Sequence, residues 1–441
     1  MALTGLDIYK LLPKTNCKKC GFPTCLAFAM ALAAKKASLE KCPDISEESK
    51  ASLDAASEPP IRTVTLGSEK NKVETGGETV LFRHEKTFYH PCGLSVTFSD
   101  NLSQNELSEK ISKFNSLEFE RVGQKVRVEF ITLKNDSNDS GKFATAVNQI
   151  KSSSSANLIL LSENLQSIEN VLKLLNGKRP VIGPVNSENL NPYTALAKTY
   201  NAILLVTGKD LDETAQNVQK IASSGLREII IEVKTLQELT DVRRLALKKN
   251  FRPLGYPVAY FTTAKDPYIE LSQAAAAIEK YAGLVVLSEP EPWIFLPLVT
   301  LRQNIYTDPQ KPVTVEPKLY TIGGQPNDKS PLLVTTNFSL TYFTVEPEIL
   351  NAKMPAYLLV VDTDGLSVLT AWAAEKFGAE RIVDAMKKAG IENAVSHRKI
   401  IIPGYVAVMS GKLVELSGWE VLVGPREAGG IPKFLRTMWQ A

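Results

Sequence analysis

Four cysteines crowd the start of the chain, in the pattern Cys17-x2-Cys20-Gly21-x3-Cys25-x16-Cys42-Pro43. The segment that carries them, residues 1–58, is too short to bury a self-sufficient core, so it calls for a staple such as a metal site. Four thiolates at close range suit a [4Fe-4S] cube, in which each iron takes one cysteine. Gly21 lets the backbone turn tightly behind Cys20, and Pro43 follows the last ligand. Structural zinc usually shows two CxxC pairs, and only one is present. Zinc and unpaired core cysteines stay open as alternatives, because the spacing matches neither common ferredoxin. The fifth cysteine, Cys92, stands in His90-Pro91-Cys92-Gly93, with His84 upstream. It reads as a buried thiol in a barrel-rim loop, with a second metal site as the other possibility.

The 441 residues carry 51 basic and 48 acidic side chains, a net charge of +3. So even a balance argues against a nucleic-acid or membrane-surface partner. The longest apolar run, Cys25–Ala34, falls far short of the ~20 residues that span a bilayer. The opening Met-Ala-Leu-Thr-Gly-Leu-Asp lacks a signal-peptide pattern, so the cytoplasm is the expected compartment. Reducing conditions there favour metal binding over disulfides. With three histidines, His84, His90 and His397, acyl-transfer chemistry has little support and no catalytic residue is assigned. His397, just before a β-rich run, reads as a strand-edge residue.

Residues 46–78 are polar and hold Pro59-Pro60 and Gly76-Gly77, and 59–78 is expected to be a linker. From 79 to 325 short β-rich runs alternate with helical stretches. The runs are Thr79–Phe82, Val126–Thr132, Asn157–Leu161, Pro180–Gly183, Ala202–Val206, Glu228–Val233, Pro257–Phe261 and Leu284–Leu287. Eight such runs over this length predict a TIM (β/α)8 barrel, with a doubly wound open sheet as runner-up. Residues 321–330 read as a second linker. Residues 326–441 read as a separate α/β unit with strands near 332–335, 357–361, 399–402 and 419–423, flavodoxin-like in pattern. The predicted fold class is therefore α/β multidomain: a Cys-rich cluster domain, a TIM barrel and a flavodoxin-like C-terminal domain.

Two loops of the last unit are suggestive. Asp362-Thr-Asp-Gly-Leu-Ser367 follows a strand and leads into a helix with small residues at its start, where free N–H groups can meet a flat ligand. The plain alternative is a capped helix. Gly424-Pro-Arg-Glu-Ala-Gly-Gly430 follows the last strand; it lacks a Walker A ending but can shape a pocket at the sheet's carboxyl edge.

Taken together, Cys17-Lys-Lys-Cys20-Gly-Phe-Pro-Thr-Cys25, Cys42-Pro43, the barrel-like middle and Val361-Asp-Thr-Asp-Gly-Leu-Ser-Val-Leu-Thr-Ala-Trp372 closely resemble one family. It is the large subunit of the corrinoid/iron–sulfur protein of the acetyl-CoA (Wood–Ljungdahl) pathway, and the resemblance covers essentially the whole chain. It implies that Cys17, Cys20, Cys25 and Cys42 ligate a [4Fe-4S] cluster and that the C-terminal domain is cobalamin-binding. It implies a small TIM-barrel subunit as heterodimer partner. It also implies a carrier whose Co(I) accepts a methyl group from methyltetrahydrofolate through a separate methyltransferase. Methyl-Co(III) would then serve CO dehydrogenase/acetyl-CoA synthase. The cluster, with a reductive activator or ferredoxin, would restore oxidised Co(II). The chain lacks an Asp-x-His-x-x-Gly motif, so no imidazole is offered below the cobalt, in keeping with a base-off corrinoid.

Strand-end position nominates the corrin contacts. Leu340, Thr341 and Glu346 follow the first strand of the C-terminal unit. Thr370, Ala371, Trp372 and Ala373 follow the second, with Thr370 toward the lower corrin face. Gly404 follows the third, and Arg436 in the last helix is placed near a propionamide or the tail phosphate. Two other readings compete. One is an Fe–S electron-transfer subunit with a flavin-binding C-terminal domain. The other is an enzyme whose barrel binds a pterin near Asn186, Thr207, Glu232 and Ser288.

Overall fold

The computed structural model describes residues 5–33, 36–46, 49–50, 53, 59–68, 71–306 and 312–440. The chain divides into two compact units, residues 1–118 with 127–306 and residues 119–126 with 307–441. Among the described residues no helix is long and apolar enough to cross a membrane.

The first unit begins with two short helices, α1 (Gly5–Leu11) and α2 (Cys25–Ala33). Ile8, Leu12, Phe28, Ala29 and Leu53 form a small core that also buries Cys25 and Cys42. The helix α2 ends at Ala33, and residues 34–35 lie outside the described ones.

The expected linker is where the structure first departs from the sequence reading. Strands β1 (Val64–Leu66) and β2 (Val73–Thr75) pair antiparallel within it. Val64 and Leu66 are buried against Ile159, Val181 and Ile203 at the floor of the barrel lumen. Gly67 N–H donates to the Arg179 carbonyl and Arg62 N–H to the Gly255 carbonyl. Apolar burial with satisfied backbone makes the β1–β2 pair a plug, because an exposed chain would gain neither. Most of the expected polar stretch before it, 46–58, lies outside the described residues.

The barrel strands are β3 (Gly93–Ser99), β6 (Phe130–Lys134), β7 (Asn157–Leu161), β8 (Val181–Val185), β9 (Ile203–Val206), β10 (Ile229–Val233), β11 (Val258–Phe261) and β12 (Leu284–Leu287). All neighbours are parallel, and β12 closes on β3. Between β3 and β6 a hairpin of β4 (Glu118–Arg121) and β5 (Gln124–Arg127) carries residues of the second unit. The helices after the barrel strands are α3 (Gln104–Asn115), α4 (Ser140–Ser153), α5 (Leu165–Leu174), α6 (Leu190–Tyr200), α7 (Leu211–Ser223), α8 (Leu236–Lys249), α9 (Pro267–Glu279) and α10 (Pro292–Tyr306). Inward positions alternate along each strand, as Ile159/Leu161, Ile203/Leu205 and Leu284/Val286 do. At the strand-to-helix turns Ser103, Asp139, Asn164, Asp210, Thr235 and Asp266 each accept a first-turn N–H, which fixes where the helices start.

Seven of the expected strand runs coincide with barrel strands. The eighth does not. Residues 79–82 form a turn in which the Glu85 carboxylate accepts the Leu81 and Phe82 N–H groups, and β3 takes the missing place.

The second unit is a five-stranded sheet ordered β13 (Leu319–Ile322), β15 (Ala356–Val361), β14 (Leu332–Thr336), β16 (Lys399–Ile402) and β17 (Glu420–Val423). All pairs are parallel except the edge strand β13 on β15. Because β13 belongs to this sheet, residues 321–330 hold the end of β13 and an internal loop of the second unit instead of a linker, and the barrel ends before 325. Helices α11 (Ser339–Asn351), α12 (Val368–Ala373), α13 (Ala379–Lys388), α14 (Ile391–Ala394), α15 (Ser410–Ser417) and α16 (Ile431–Met438) complete the unit. Two apolar cores result, one around Phe377, Ile382 and Trp419, the other around Ile349, Leu358 and Leu435.

Candidate cofactor sites

The loop between α1 and α2 is bent by left-handed residues at Lys14, Asn16, Lys18 and Gly21. At Gly21 a Cβ would touch nothing, so the glycine is there for its φ of +84° and not for space. Gly21 N–H donates to the Lys18 carbonyl at 2.9 Å. Asn16 ties the loop to the next helix: its Oδ1 accepts the Cys25 N–H at 2.8 Å, and its own N–H donates to Cys25 Sγ at 3.4 Å. Cys17 is exposed, Cys20 half-buried, and Cys25 and Cys42 buried. Burial pushes the Cys42 thiol up, and so do the charges that Cys20, Cys17 and Cys25 would carry, which places all four sulfurs in one electrostatic neighbourhood. Lys19 and Asp44 form an ion pair of 3.0 Å beside it. Lys19 first, then a hydrogen bond with Cys17, holds the Asp44 carboxyl below its usual range. Among the described residues no group of three or more His, Cys, Asp or Glu side chains gathers tightly enough to hold a single metal ion.

The remaining cysteine sits under the barrel. Cys92 is wholly buried, donates to the Gly93 carbonyl, and its thiol is pushed up to about 12 by burial. Arg302 donates to the Cys92 carbonyl at 2.8 Å and to Glu129 at 2.9 Å, locking this floor. His90 contacts the Gly76 carbonyl through Nδ1, and His84 stacks on Phe82, so the three do not converge on a metal. His397 Nε2 contacts the Ser330 carbonyl and its Nδ1 accepts the Lys399 N–H, at the end of β16 where the strand begins.

In the sheet the chain leaves β14 toward β15 on one side and reaches β16 on the other. A cleft of about 290 Å³ opens at the carboxyl ends of β14 and β16, where such a reversal leaves room. Leu340 and Thr341 line it. Glu346 does not; it accepts from the Tyr342 hydroxyl at 3.1 Å, and burial together with that carboxylate raises the Tyr342 phenol. On α12 the lining residue is Val368. Thr370 is exposed, its hydroxyl 3.0 Å from that of Ser367, and Trp372 and Ala373 are exposed. Ala371 faces the other way, fully buried in the core beside Phe377. Gly404 lies between the lining residues Pro403 and Tyr405; a Cβ there would strike the Gly424 carbonyl, so its smallness lets two strand-end loops meet. Arg436 is turned away, bonded to the Pro432 and Asn351 carbonyls.

The cation that does line the cleft is Arg426, in the glycine-rich loop after β17, along with Tyr405. Neither was nominated, because nothing in single-sequence spacing distinguishes a lining arginine from a surface one. Three buried hydroxyls at the end of β14 and the start of α11, on Thr335, Thr336 and Ser339, have no hydrogen-bond partner, and Thr335 lines the cleft. Such groups are costly unless something else pairs them. Asn337 fixes the neighbouring loop: its Oδ1 accepts from Thr363 N–H, Thr363 Oγ1 and Gly365 N–H, and its amide donates to Asp362.

A family model described as the CO dehydrogenase/acetyl-CoA synthase delta subunit matches residues 63–435, and a separate Fe–S cluster model matches 12–43. The corrinoid/iron–sulfur protein large subunit of Moorella thermoacetica is 48% identical over 99% of both chains. The chain belongs to the family of corrinoid/iron–sulfur protein large subunits. The acetyl-CoA decarbonylase/synthase complex subunit gamma of Methanothermobacter thermautotrophicus is a more distant relative, 35% identical over 99% of both chains. A dihydropteroate synthase structure from Vibrio fischeri is matched at a TM-score of 0.41 and 10% identity, over 56% of this chain and all of that one. Within this corrinoid/iron–sulfur family member, residues 12–43 coincide with the cysteine loop just described.

Proposed function

We propose that this chain carries a corrinoid in the C-terminal cleft and a [4Fe-4S] cluster on Cys17, Cys20, Cys25 and Cys42, and acts as the methyl carrier of the reductive acetyl-CoA pathway. Its parts are then a cluster domain to about residue 58, a barrel, and a corrinoid domain whose parallel strands follow the second-first-third-fourth order of flavodoxin-like sheets. The observation that carries the reading is the cleft at the reversal point, with its unpaired Thr335 hydroxyl and its single lining arginine among the described residues.

The corrinoid would supply a nucleophilic cobalt that takes the methyl group of methyltetrahydrofolate with a separate methyltransferase and passes it to CO dehydrogenase/acetyl-CoA synthase, and the cluster a one-electron reductant. This chain's residues position and shield. Leu340, Val345 and Val368 give the cleft an apolar wall, and Arg426 and the Thr335 hydroxyl offer hydrogen bonds to amide or phosphate oxygens. His397 is engaged with Ser330 and Lys399 at the opposite end of β16, so no imidazole of this unit stands at the cleft. That supports a base-off corrinoid. The four cysteines are a soft donor set, and a cationic iron–sulfide core would offset part of the charge their thiolates bring to Cys42. A companion TIM-barrel subunit, a reductive activator or ferredoxin and a cytoplasmic location complete the proposal.

The test is spectroscopic. Anaerobically purified protein should show corrin absorption that shifts on reduction and on methylation by methyltetrahydrofolate plus its methyltransferase. Flavin bands, or a corrin spectrum that methyl donor never alters, would overturn the reading.

A further inference from the structure

The barrel has its own unassigned cavity. About 520 Å³ of space lies at the carboxyl ends of β6 to β11, lined by Lys134, Thr207, Glu232, Phe261 and, just beyond β8, Asn186. Ser288, also at a strand end, is drawn aside: its N–H donates to Glu270, and it does not line the space.

Strand register turns the charged residues inward. Glu232 lies two positions beyond Ile230, which packs in the lumen, and is paired with Ala259, another lumen residue. Lys134 is paired with Leu161, which packs against the same core. Barrel interiors are normally filled by branched apolar side chains, so an inward acid and base at the top layer are not required for packing. Glu232 makes no hydrogen bond or ion pair among the described residues, and burial raises its carboxyl while Lys234 and Lys134 act against that. Lys234 is itself committed to the Gly208 carbonyl at 2.8 Å. The Lys134 ammonium makes no hydrogen bond or ion pair among the described residues. Asn186 uses its Oδ1 to accept the Glu188 and Asn189 N–H groups, which leaves its NH2 group to donate.

The wall thus offers an inward-turned acceptor acid in Glu232, donors beside it and an aromatic face. Lys134, Lys209 and Lys234 balance Glu188, Glu213 and Glu232, so the cavity favours no net ligand charge. We propose that the barrel mouth binds a neutral planar heterocycle with a 2-amino-4-oxopyrimidine edge. Its ring N–H and exocyclic amine would donate to the Glu232 carboxylate, its carbonyl would accept from Lys134 and Asn186, and its ring would lie against Phe261. Guanine bases and reduced pterins share this edge. The site uses neither the cysteine quartet nor the C-terminal cleft, so it stands or falls apart from the corrinoid reading.

Equilibrium dialysis of the anaerobically purified full chain tests it, with guanosine, tetrahydrofolate and, as a control lacking the edge, adenosine. Saturable one-to-one binding of guanosine or tetrahydrofolate is expected, and the tighter of the two identifies the source. Adenosine should not bind. Glu232→Gln should weaken binding about tenfold or more, because one of the two acceptor oxygens becomes an NH2 donor facing a ligand N–H. Its melting temperature should stay level or rise, since an unpaired acid is removed. Lys134→Met, thermally intact, should also weaken binding. No binding of either probe at millimolar concentration, equal binding of adenosine, or undiminished binding by a folded Glu232→Gln protein would overturn the proposal.

Discussion

Cys42 is buried, and negative charge on Cys20, Cys17 and Cys25 would make its own ionisation less favourable. A cluster resolves that conflict, so Cys42→Ser should lose nearly all bound iron and sulfide while the far-ultraviolet circular dichroism of the barrel is retained. Retention of full iron content would contradict the assignment. Cys92 is the converse case. With its thiol pushed up to about 12, it stays protonated at neutral and mildly alkaline pH, and iodoacetamide at pH 8 should leave it unmodified until the chain is unfolded. Rapid labelling of Cys92 in folded protein, read by peptide mass, would show that the floor is open. Thr335 tests the cleft from the opposite direction. Removing an unpaired buried hydroxyl by Thr335→Val should leave the apoprotein as stable or about 1 kcal/mol more so. Corrinoid uptake should fall, and unchanged uptake would mean that the hydroxyl meets no ligand.

Among the elements, the β1–β2 hairpin carries the clearest consequence. Leu66 is wholly buried under the barrel, so Leu66→Ala should cost about 2–5 kcal/mol in a chemical melt. A flexible linker would tolerate the change. The cap of α4 is sensitive to pH. The Lys142 and Gly141 N–H groups hold the Asp139 carboxyl below its ordinary range, so its folded value lies under its unfolded one. The stabilisation is therefore complete above the ordinary carboxylate range and is lost as pH falls through the lowered value. The melting-temperature gap between wild type and Asp139→Ala should be full at neutral pH and close in strong acid; a gap that persists there would refute the cap. These elements also show what the sequence could reveal. The strands β6 to β12 announce themselves because both faces are largely apolar, with Thr132, Lys134 and Glu232 as inward exceptions. β3 was hidden because one face carries Ser95, whose hydroxyl meets that of Thr132 inside the barrel, and polar alternation disguises burial. Residues 79–82 looked like a strand, but a side-chain carboxylate decides their turn. In the C-terminal unit the strand ends were legible and the lining was not. Ala371 and Arg436 differ from Val368 and Arg426 only in the direction their backbones give them.

At the level of the whole chain, a cysteine segment, a closed barrel and a five-stranded sheet follow one another, and relatives match that full length. The cleft of that sheet is lined by apolar side chains with Thr335, Tyr405 and Arg426 among them, and the chain carries three histidines. The most direct test is metal and sulfide analysis of protein made without oxygen alongside its companion subunit and supplied with a corrinoid. The account predicts about four iron, four sulfide and one cobalt for each chain. Zinc in place of iron, or a chain that emerges without cobalt, would contradict it.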